Sequence, residues 1–368
     1  MTMMRKMTIA VLRSNDARQR YRFVSEPLVS RGHYVTLLDA TSFVRLLRGL
    51  IRFVAAGERP DAIVATGAGP KDVVVFHCAR WFGIPFIARW GGNAVADTRA
   101  QLRAAIAAKR PRAALVSFIR HRTAWYMTAR VEDFIVVNPN IRSEIAPHTG
   151  PGARMSVIPQ FSVGRPVAHD HDIPGIPCLL TVSNLNYKRK ARGVIWLIDA
   201  VAAYARSASH PISFRILGGG IHLRDILRHI ESTSLPTQLS VDVAGFVDDP
   251  VPEYISADIF LYHSDHDGTP NVLLEAKRFG LPTLLNDYPA FRDIASDGIS
   301  ALFYGDREEF GCLLSRMIDD RSLREQLALA AQREYSEQYT IAAVAAPLEE
   351  ALSAAIVGQK SGNKSQCE

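Results

Sequence analysis

The chain has little cysteine: four in 368 residues, Cys78, Cys178, Cys312 and Cys367. They form no CxxC pair and no Cys/His cluster, so neither a disulfide framework nor a zinc site is signalled, and a reducing compartment is expected. Long apolar runs are also missing. The opening "MTMMRKMTIAVLRS" has an apolar core of only five or six residues, too short for a signal peptide or a membrane span. No long uncharged stretch stands out elsewhere, so the expectation is a protein that is soluble or lies on a membrane without crossing it. No repeat of 20–50 residues occurs. Acid is missing in one place: none lies between Asp97 and Glu132, a span that holds Arg99, Arg103, Lys109, Arg110, Arg112, Arg120, Arg122 and Arg130. The formal net charge is only +6, so the location of the charge matters more than its total.

What is present is a well-cored globular composition, with 48% hydrophobic residues. The length suggests roughly two domains at about 150 residues each. Short apolar runs, "MTIAVLR", "HYVTLLDA", "DAIVATG", "PFIARWGG" and "DFIVVNP", alternate with helical patterns, as βαβ units do. The alternation stops in "SVIPQFSVGRPVAHDHDIPGIP", with Pro159, Pro166, Pro174 and Pro177, which reads as an interdomain linker. It restarts in "CLLTVSNL", "ISFRILGGG", "SVDVAGFV", "ADIFLYHS" and "LPTLLND". The expected organisation is a first α/β domain over 1–165, a second over 166–340, and a C-terminal helix with a polar tail over 341–368, the helix packing back on the first domain. Both are doubly wound parallel sheets whose carboxyl ends hold ligands.

The stretch "HDGTPNVLLEAKRFGLP" places Asp267 before a Gly-Thr-Pro-Asn turn and Glu275 eight residues on. Carboxylates accept from the hydroxyls of a sugar, and a helix start offers unpaired N–H groups to a pyrophosphate. Alone, either acid reads as a turn or surface residue. Together with "AGFVDDPVPEYISADIFLYHSDHDGTPNVLLEAKRFGLPTLLND" they resemble the donor region of retaining glycosyltransferases of the GT-B fold, family 4 type. The resemblance runs from about Cys178 to Asp297 and more weakly through the first half. It implies two Rossmann-like domains facing a central cleft. It also implies transfer of a sugar from a nucleoside diphosphate donor to a hydroxyl on a lipid-linked or polysaccharide acceptor, without metal or cofactor.

By that resemblance Asp267 holds the sugar hydroxyls, Glu275 the ribose, and Gly268, Thr269, Pro270 and the amides of Asn271, Val272 and Leu273 the phosphates. Aligning Gly193 with the family's helix start makes Arg192 the catalytic cation and puts Asn184 where the family has Arg. Lys188 and Lys190 in the same basic loop are alternatives, and a merely solvated loop is the plain reading. Gly219 and Phe246 fall at the turn and strand end that meet the nucleotide, though a Phe there also reads as core. On the acceptor side, Arg13, Asn15 and Asp16 replace a glycine-rich loop, and Trp90, Gly91, Gly92 and Asn93 stand where relatives carry His-Gly-Gly-Asp. Asp265 and Asp267 also match an Asp-x-Asp metal motif, which occurs often by chance.

"FVRLLRGLIRFV" sets Phe43, Leu46, Leu47, Leu50, Ile51 and Val54 against Arg45, Arg48 and Arg52. Such a helix, with the acid-free span, suits an anionic membrane surface, or else an ordinary domain helix with a solvated basic face. No nucleic-acid module accompanies the charge. A cytoplasmic, peripheral enzyme of cell-envelope polysaccharide synthesis is the resulting expectation. A sugar-nucleotide epimerase of the same fold and a degenerate sugar-nucleotide or membrane binder are the rivals.

Overall fold

The computed structural model describes residues 6–13, 19–55, 57, 59–173, 175–265 and 267–364. Asn15, Asp16 and Cys367 lie outside the described residues, and so does His266. Two compact units divide the chain: Met1–Phe161 with Ile341–Glu368, and Ser162–Thr340.

Unit 1 runs β1 (Thr8–Arg13), α1 (Arg22–Ser30), β2 (Tyr34–Asp39), α2 (Phe43–Ala55), β3 (Ala62–Ala65), α3 (Pro70–Trp81), β4 (Phe86–Trp90), α4 (Ala94–Ala107), α5 (Pro111–Arg130), β5 (Asp133–Val136), α6 (Pro139–Ile145) and β6 (Arg154–Val157). Its six-stranded sheet has the order β2-β1-β3-β4-β5-β6, and every pairing is parallel. The inner strands β1, β3, β4 and β5 are largely buried on both faces because helices cover both, whereas the edge strand β2 is mostly exposed. In β1, Ala10 and Leu12 enter the core under α3 and α5, while Ile9 and Val11 enter the opposite core.

A final helix, α14 (Ile341–Lys364), belongs to this unit. The helical stretch Arg321–Gln359 is long and apolar enough to cross a membrane by length and composition alone, against the expectation that no such stretch occurs. Within it, Val344, Leu348, Leu352, Ala355 and Ile356 are buried in the unit 1 core with Val24 and Leu28 of α1, the spacing of a core-facing stripe. Buried Glu349 fastens α14 by pairing with Arg31 and, at 3.2 Å, with His33.

Unit 2 runs β7 (Cys178–Val182), α7 (Lys188–Ala205), β8 (Ile212–Leu217), α8 (Leu223–Ser232), β9 (Leu239–Gly245), α9 (Val251–Ser256), β10 (Ile259–Tyr262), α10 (Asn271–Arg278), β11 (Thr283–Asn286), α11 (Pro289–Arg292), β12 (Leu302–Tyr304), α12 (Arg307–Asp319) and α13 (Arg321–Gln338). The order β12-β11-β10-β7-β8-β9 is again wholly parallel. The chain therefore reverses direction between β7 and β10, the switch point where open α/β sheets bind ligands. The proline-rich segment that precedes β7 is a strap held down on unit 2. Tyr335 donates to the Ser162 and Gly164 carbonyls, Gln332 to Val167, and Arg324 to His171. Proline removes backbone donors from such a segment, so side chains on α13 satisfy its carbonyls.

Candidate functional site

At the unit 2 switch point the loop after β7 meets the loop after β10. Gly193, in the second turn of α7, permits this approach: a Cβ there would sit 2.0 Å from the His263 carbonyl oxygen. The turn Gly218-Gly219-Gly220 does the same for the loop after β8. A Cβ on Gly218 would meet the Ser183 carbonyl at 1.9 Å, and the Gly219 carbonyl accepts from the Leu185 amide at 3.1 Å. Gly219 thus holds the β7 loop in place and lies against Phe246.

Lys190 projects from the first turn of α7 onto Asp267. Its Nζ lies 3.0 Å from one carboxylate oxygen, and the Tyr262 hydroxyl donates to the other at 2.6 Å. Lys190 also donates to the Tyr262 hydroxyl at 3.1 Å, closing a three-membered cluster. Tyr262, the last residue of β10, is a member that sequence reasoning missed; its place at a strand end just before Asp267 was the available signal. Of the basic loop residues, Lys190 is the one brought to the acid. Arg192, favoured from the alignment, is exposed on α7, because two residues further along a helix turn a side chain about 200° away. Lys188 is exposed and acts on Asp225. Asn184 is spent on its own loop, accepting from the backbone and side-chain amides of Asn186 at 3.1 and 3.0 Å.

Glu275 lies half-buried on α10 and accepts from the Tyr254 hydroxyl at 2.8 Å. Burial pushes its carboxyl above the usual glutamate range, against that hydrogen bond and the pull of Arg278. Burial likewise drives the Tyr254 hydroxyl far up. At the helix start, Leu273 differs from its expected role: its amide donates to the Pro270 carbonyl at 3.1 Å, since no side chain caps this end and the first turn tightens. Asn271 and Val272 are the first two residues of the helix, where an amide has no intrahelical acceptor. Thr269 and Pro270 are buried beneath them and Gly268 is half-buried. Phe246 is not core: it is 76% exposed, one residue past β9.

Asp265 is directed elsewhere, 3.7 Å from His263. Its neighbour Ser264 is clamped by Asn286 at the end of β11, through bonds of 2.9 and 3.2 Å. Among the described residues no three His, Cys, Asp or Glu side chains converge in a way that could hold a metal.

In unit 1 the residues expected to meet the acceptor part company. Trp90 turns inward: it is 3% exposed, packs edge-on to Phe134 and donates to the Gly67 carbonyl. Alternation along β4 sends it into the core under α3 and α5. Asn93 caps α4, accepting from the Ala96 amide at 3.0 Å, and donates to Glu144. Gly91 is exposed and Gly92 half-buried, and Arg13 ends β1 exposed against Tyr21. The first turn of α3 holds a group the sequence did not flag, Asp72. It accepts from the Gly69 amide at 2.8 Å, and burial raises its carboxyl to about 6.

With this geometry in view, likeness to known proteins is specific. Residues 176–320, nearly all of unit 2 from β7 to α12, match the family model for glycosyl transferases group 1. The lipopolysaccharide core biosynthesis glycosyltransferase LpsE of Rhizobium meliloti (strain 1021) is 31% identical over 206 residues. That alignment covers 54% of this chain and spans 58% of LpsE. Among solved structures, Anabaena Alr3699/HepE in complex with UDP-glucose superposes with a TM-score of 0.68 at 15% identity, covering 95% of this chain and 100% of that one. Sucrose-phosphate synthase (tll1590) from Thermosynechococcus elongatus gives 0.71 at 14%, covering 94% and 98%. The apo form of the lipopolysaccharide outer core galactosyltransferase WaaB gives 0.65 at 14%, covering 96% and 100%. The fold is that of GT-B glycosyltransferases, two Rossmann-like α/β units as the sequence led one to expect.

Proposed function

We propose that this chain is a glycosyltransferase that moves a sugar from a nucleoside diphosphate donor to a hydroxyl of a saccharide or lipid-linked acceptor. The observation that carries this is the Lys190–Tyr262–Asp267 cluster at the unit 2 switch point, beside the open start of α10. Lys190 neutralises the diphosphate as the bond to the anomeric carbon breaks and the phosphate oxygen takes the electron pair. The amides of Asn271 and Val272 bind the same phosphates, Glu275 the ribose, and exposed Phe246 the base. Asp267 holds the sugar and, before the donor arrives, masks the charge of Lys190. Retention at the anomeric carbon rests on the likeness of the Asp267/Glu275 pair to that of retaining enzymes. The match to LpsE supports a lipopolysaccharide core acceptor, with the enzyme on the cytoplasmic face of the membrane.

The surface of unit 1 supports a membrane-borne acceptor. No residue from Ala94 to Thr123, across α4 and most of α5, is buried. Ile106, Leu115, Val116, Phe118 and Ile119 are exposed there among the arginines of the acid-free span. On α2, Leu46 turns to the core while Phe43, Val44, Leu47 and Ile51 face outward beside Arg45 and Arg48. Apolar and basic side chains sharing one surface fit an anionic bilayer interface. The test is a panel of UDP-, GDP- and ADP-sugars scored for thermal stabilisation and then for hydrolysis or transfer. Stabilisation by one donor, lost in Lys190→Met, and transfer, lost in both Lys190→Met and Asp267→Ala, are expected; full activity in both variants would refute the assignment. Flotation with phosphatidylglycerol vesicles should carry the wild type and leave behind a variant with Phe43, Leu47 and Ile51 changed to Ser.

A further inference from the structure

We propose that Arg89 anchors an anion-binding site in unit 1 that takes a phosphate or carboxylate group carried by the acceptor. Arg89 is the penultimate residue of β4 and only 3% exposed. Alternation places it on the same face as Ile87, where Ala62 and Val64 of the adjacent β3 and Ile135 of the adjacent β5 are core residues. Among the described residues its guanidinium makes no side-chain hydrogen bond and no ion pair. Among them, the charge that acts on it is like-signed, that of Arg20. The ring of Phe23 lies 4.8 Å from the guanidinium carbon and is itself packed edge-on to Phe161.

A buried, unpaired cation is among the costliest groups a core can hold. The contact with Phe23 covers one face and accepts none of the five N–H donors. Burial and Arg20 together bring the guanidinium down to about 9, so the protein strains to keep it charged. Two of the described acids at this end of the sheet are committed elsewhere: Asp39 to Thr41, Asp72 to the Gly69 amide. An incoming anion with two oxygens matches the guanidinium fork and supplies the missing acceptors.

The position suits a ligand. Arg89 sits at the carboxyl end of β4 and Arg13 at the carboxyl end of β1, two strands apart or roughly 10 Å, with Arg20 in the turn before α1. The unit 1 chain reverses direction between β1 and β3, so this is its switch point. Gly91 and Gly92 follow one residue on, after Trp90.

That the anion belongs to an acceptor rests on the glycosyltransferase reading; the site itself does not. The first measurement is thermal melting of the full chain against inorganic phosphate at constant ionic strength, with chloride as the control. The wild type should rise by about 3–6 °C at phosphate ten times its dissociation constant. A rise should persist in Lys190→Met, which removes the unit 2 diphosphate cation, and in that background it should vanish when Arg89→Met is added. Without phosphate, Arg89→Met should melt at or above the wild type, because an unpaired buried charge is gone. A phosphate response of Lys190→Met that survives the addition of Arg89→Met, or a phosphate-free melting point of Arg89→Met several degrees below wild type, overturns the site. The second measurement compares transfer to a phosphorylated saccharide and its dephosphorylated counterpart. Arg89→Met should raise KM about tenfold for the former alone; a rise in donor KM instead overturns the assignment to the acceptor. Arg89-dependent phosphate binding in a protein that transfers no sugar would sink the glycosyltransferase reading and leave the site standing.

Discussion

Changing Lys190 to Met and Asp267 to Asn, singly and together, separates a working donor site from a decorative surface pair. The two charged atoms are 3.0 Å apart, and the side chains are only 15% and 13% exposed. At an effective dielectric constant of about 20 the gross attraction is roughly 5.5 kcal/mol. Desolvation of both ions offsets much of it, so a coupling of about 1.5–3 kcal/mol should remain. Lys190→Met should cost the most stability, because it leaves Asp267 with the Tyr262 hydroxyl as its remaining partner in the cluster. Asp267→Asn should cost less, since the amide oxygen still accepts from Lys190 and the amide NH2 donates to the Tyr262 oxygen in place of the bond it loses. Ligand binding should invert that order of severity in one respect. Lys190→Met should weaken UDP binding about 10–150-fold, the loss of a charge-assisted hydrogen bond. Asp267→Asn should leave UDP binding equal or tighter, because the carboxylate no longer competes for Lys190, yet abolish whatever UDP-glucose gains over UDP. Urea melts and calorimetric titration with both ligands read all of this. A coupling below about 0.5 kcal/mol, or wild-type UDP affinity in Lys190→Met, would refute the reasoning.

Gly193→Ala should destabilise unit 2 by about 2–4 kcal/mol in urea melts, since the new Cβ meets a backbone carbonyl that cannot swing aside, and should weaken UDP binding by displacing Lys190 on the same helix. Phe246→Ala should leave Tm within about 1 °C, because the ring is already in solvent, while nucleotide affinity falls about 5–15-fold with the lost stacking. Asp72 has its folded-state carboxyl raised from 3.8 to about 6, so its favourable contribution is complete below about pH 4 and is lost as pH rises through 6. Asp72→Asn should therefore gain on the wild type across that window, by up to about 3 kcal/mol at pH 8; a difference that stays flat from pH 4 to 8 would contradict the burial of this carboxyl.

The alternation of short apolar runs with helical patterns was enough to read two doubly wound sheets, because strands buried on both faces must be apolar throughout and helices must carry one stripe. The Gly-Thr-Pro-Asn turn between Asp267 and Glu275 was enough to mark a corner between a strand and a helix, and that corner lies between β10 and α10. Both are local consequences of residue type and short-range periodicity. Which cation meets Asp267 was not local. It depended on the rotational phase of α7 against β10, set by the Gly193 contact with the His263 carbonyl, and that phase selects Lys190 and turns Arg192 away. The inward turn of Trp90, the hydrogen bond that occupies the Leu273 amide, the exposure of Phe246 and the outward apolar edge of α2 were decided in the same way. So was the isolation of Arg89: alternation along a strand says which face a side chain takes, and only the packed neighbours say that none of the described acids answers its charge.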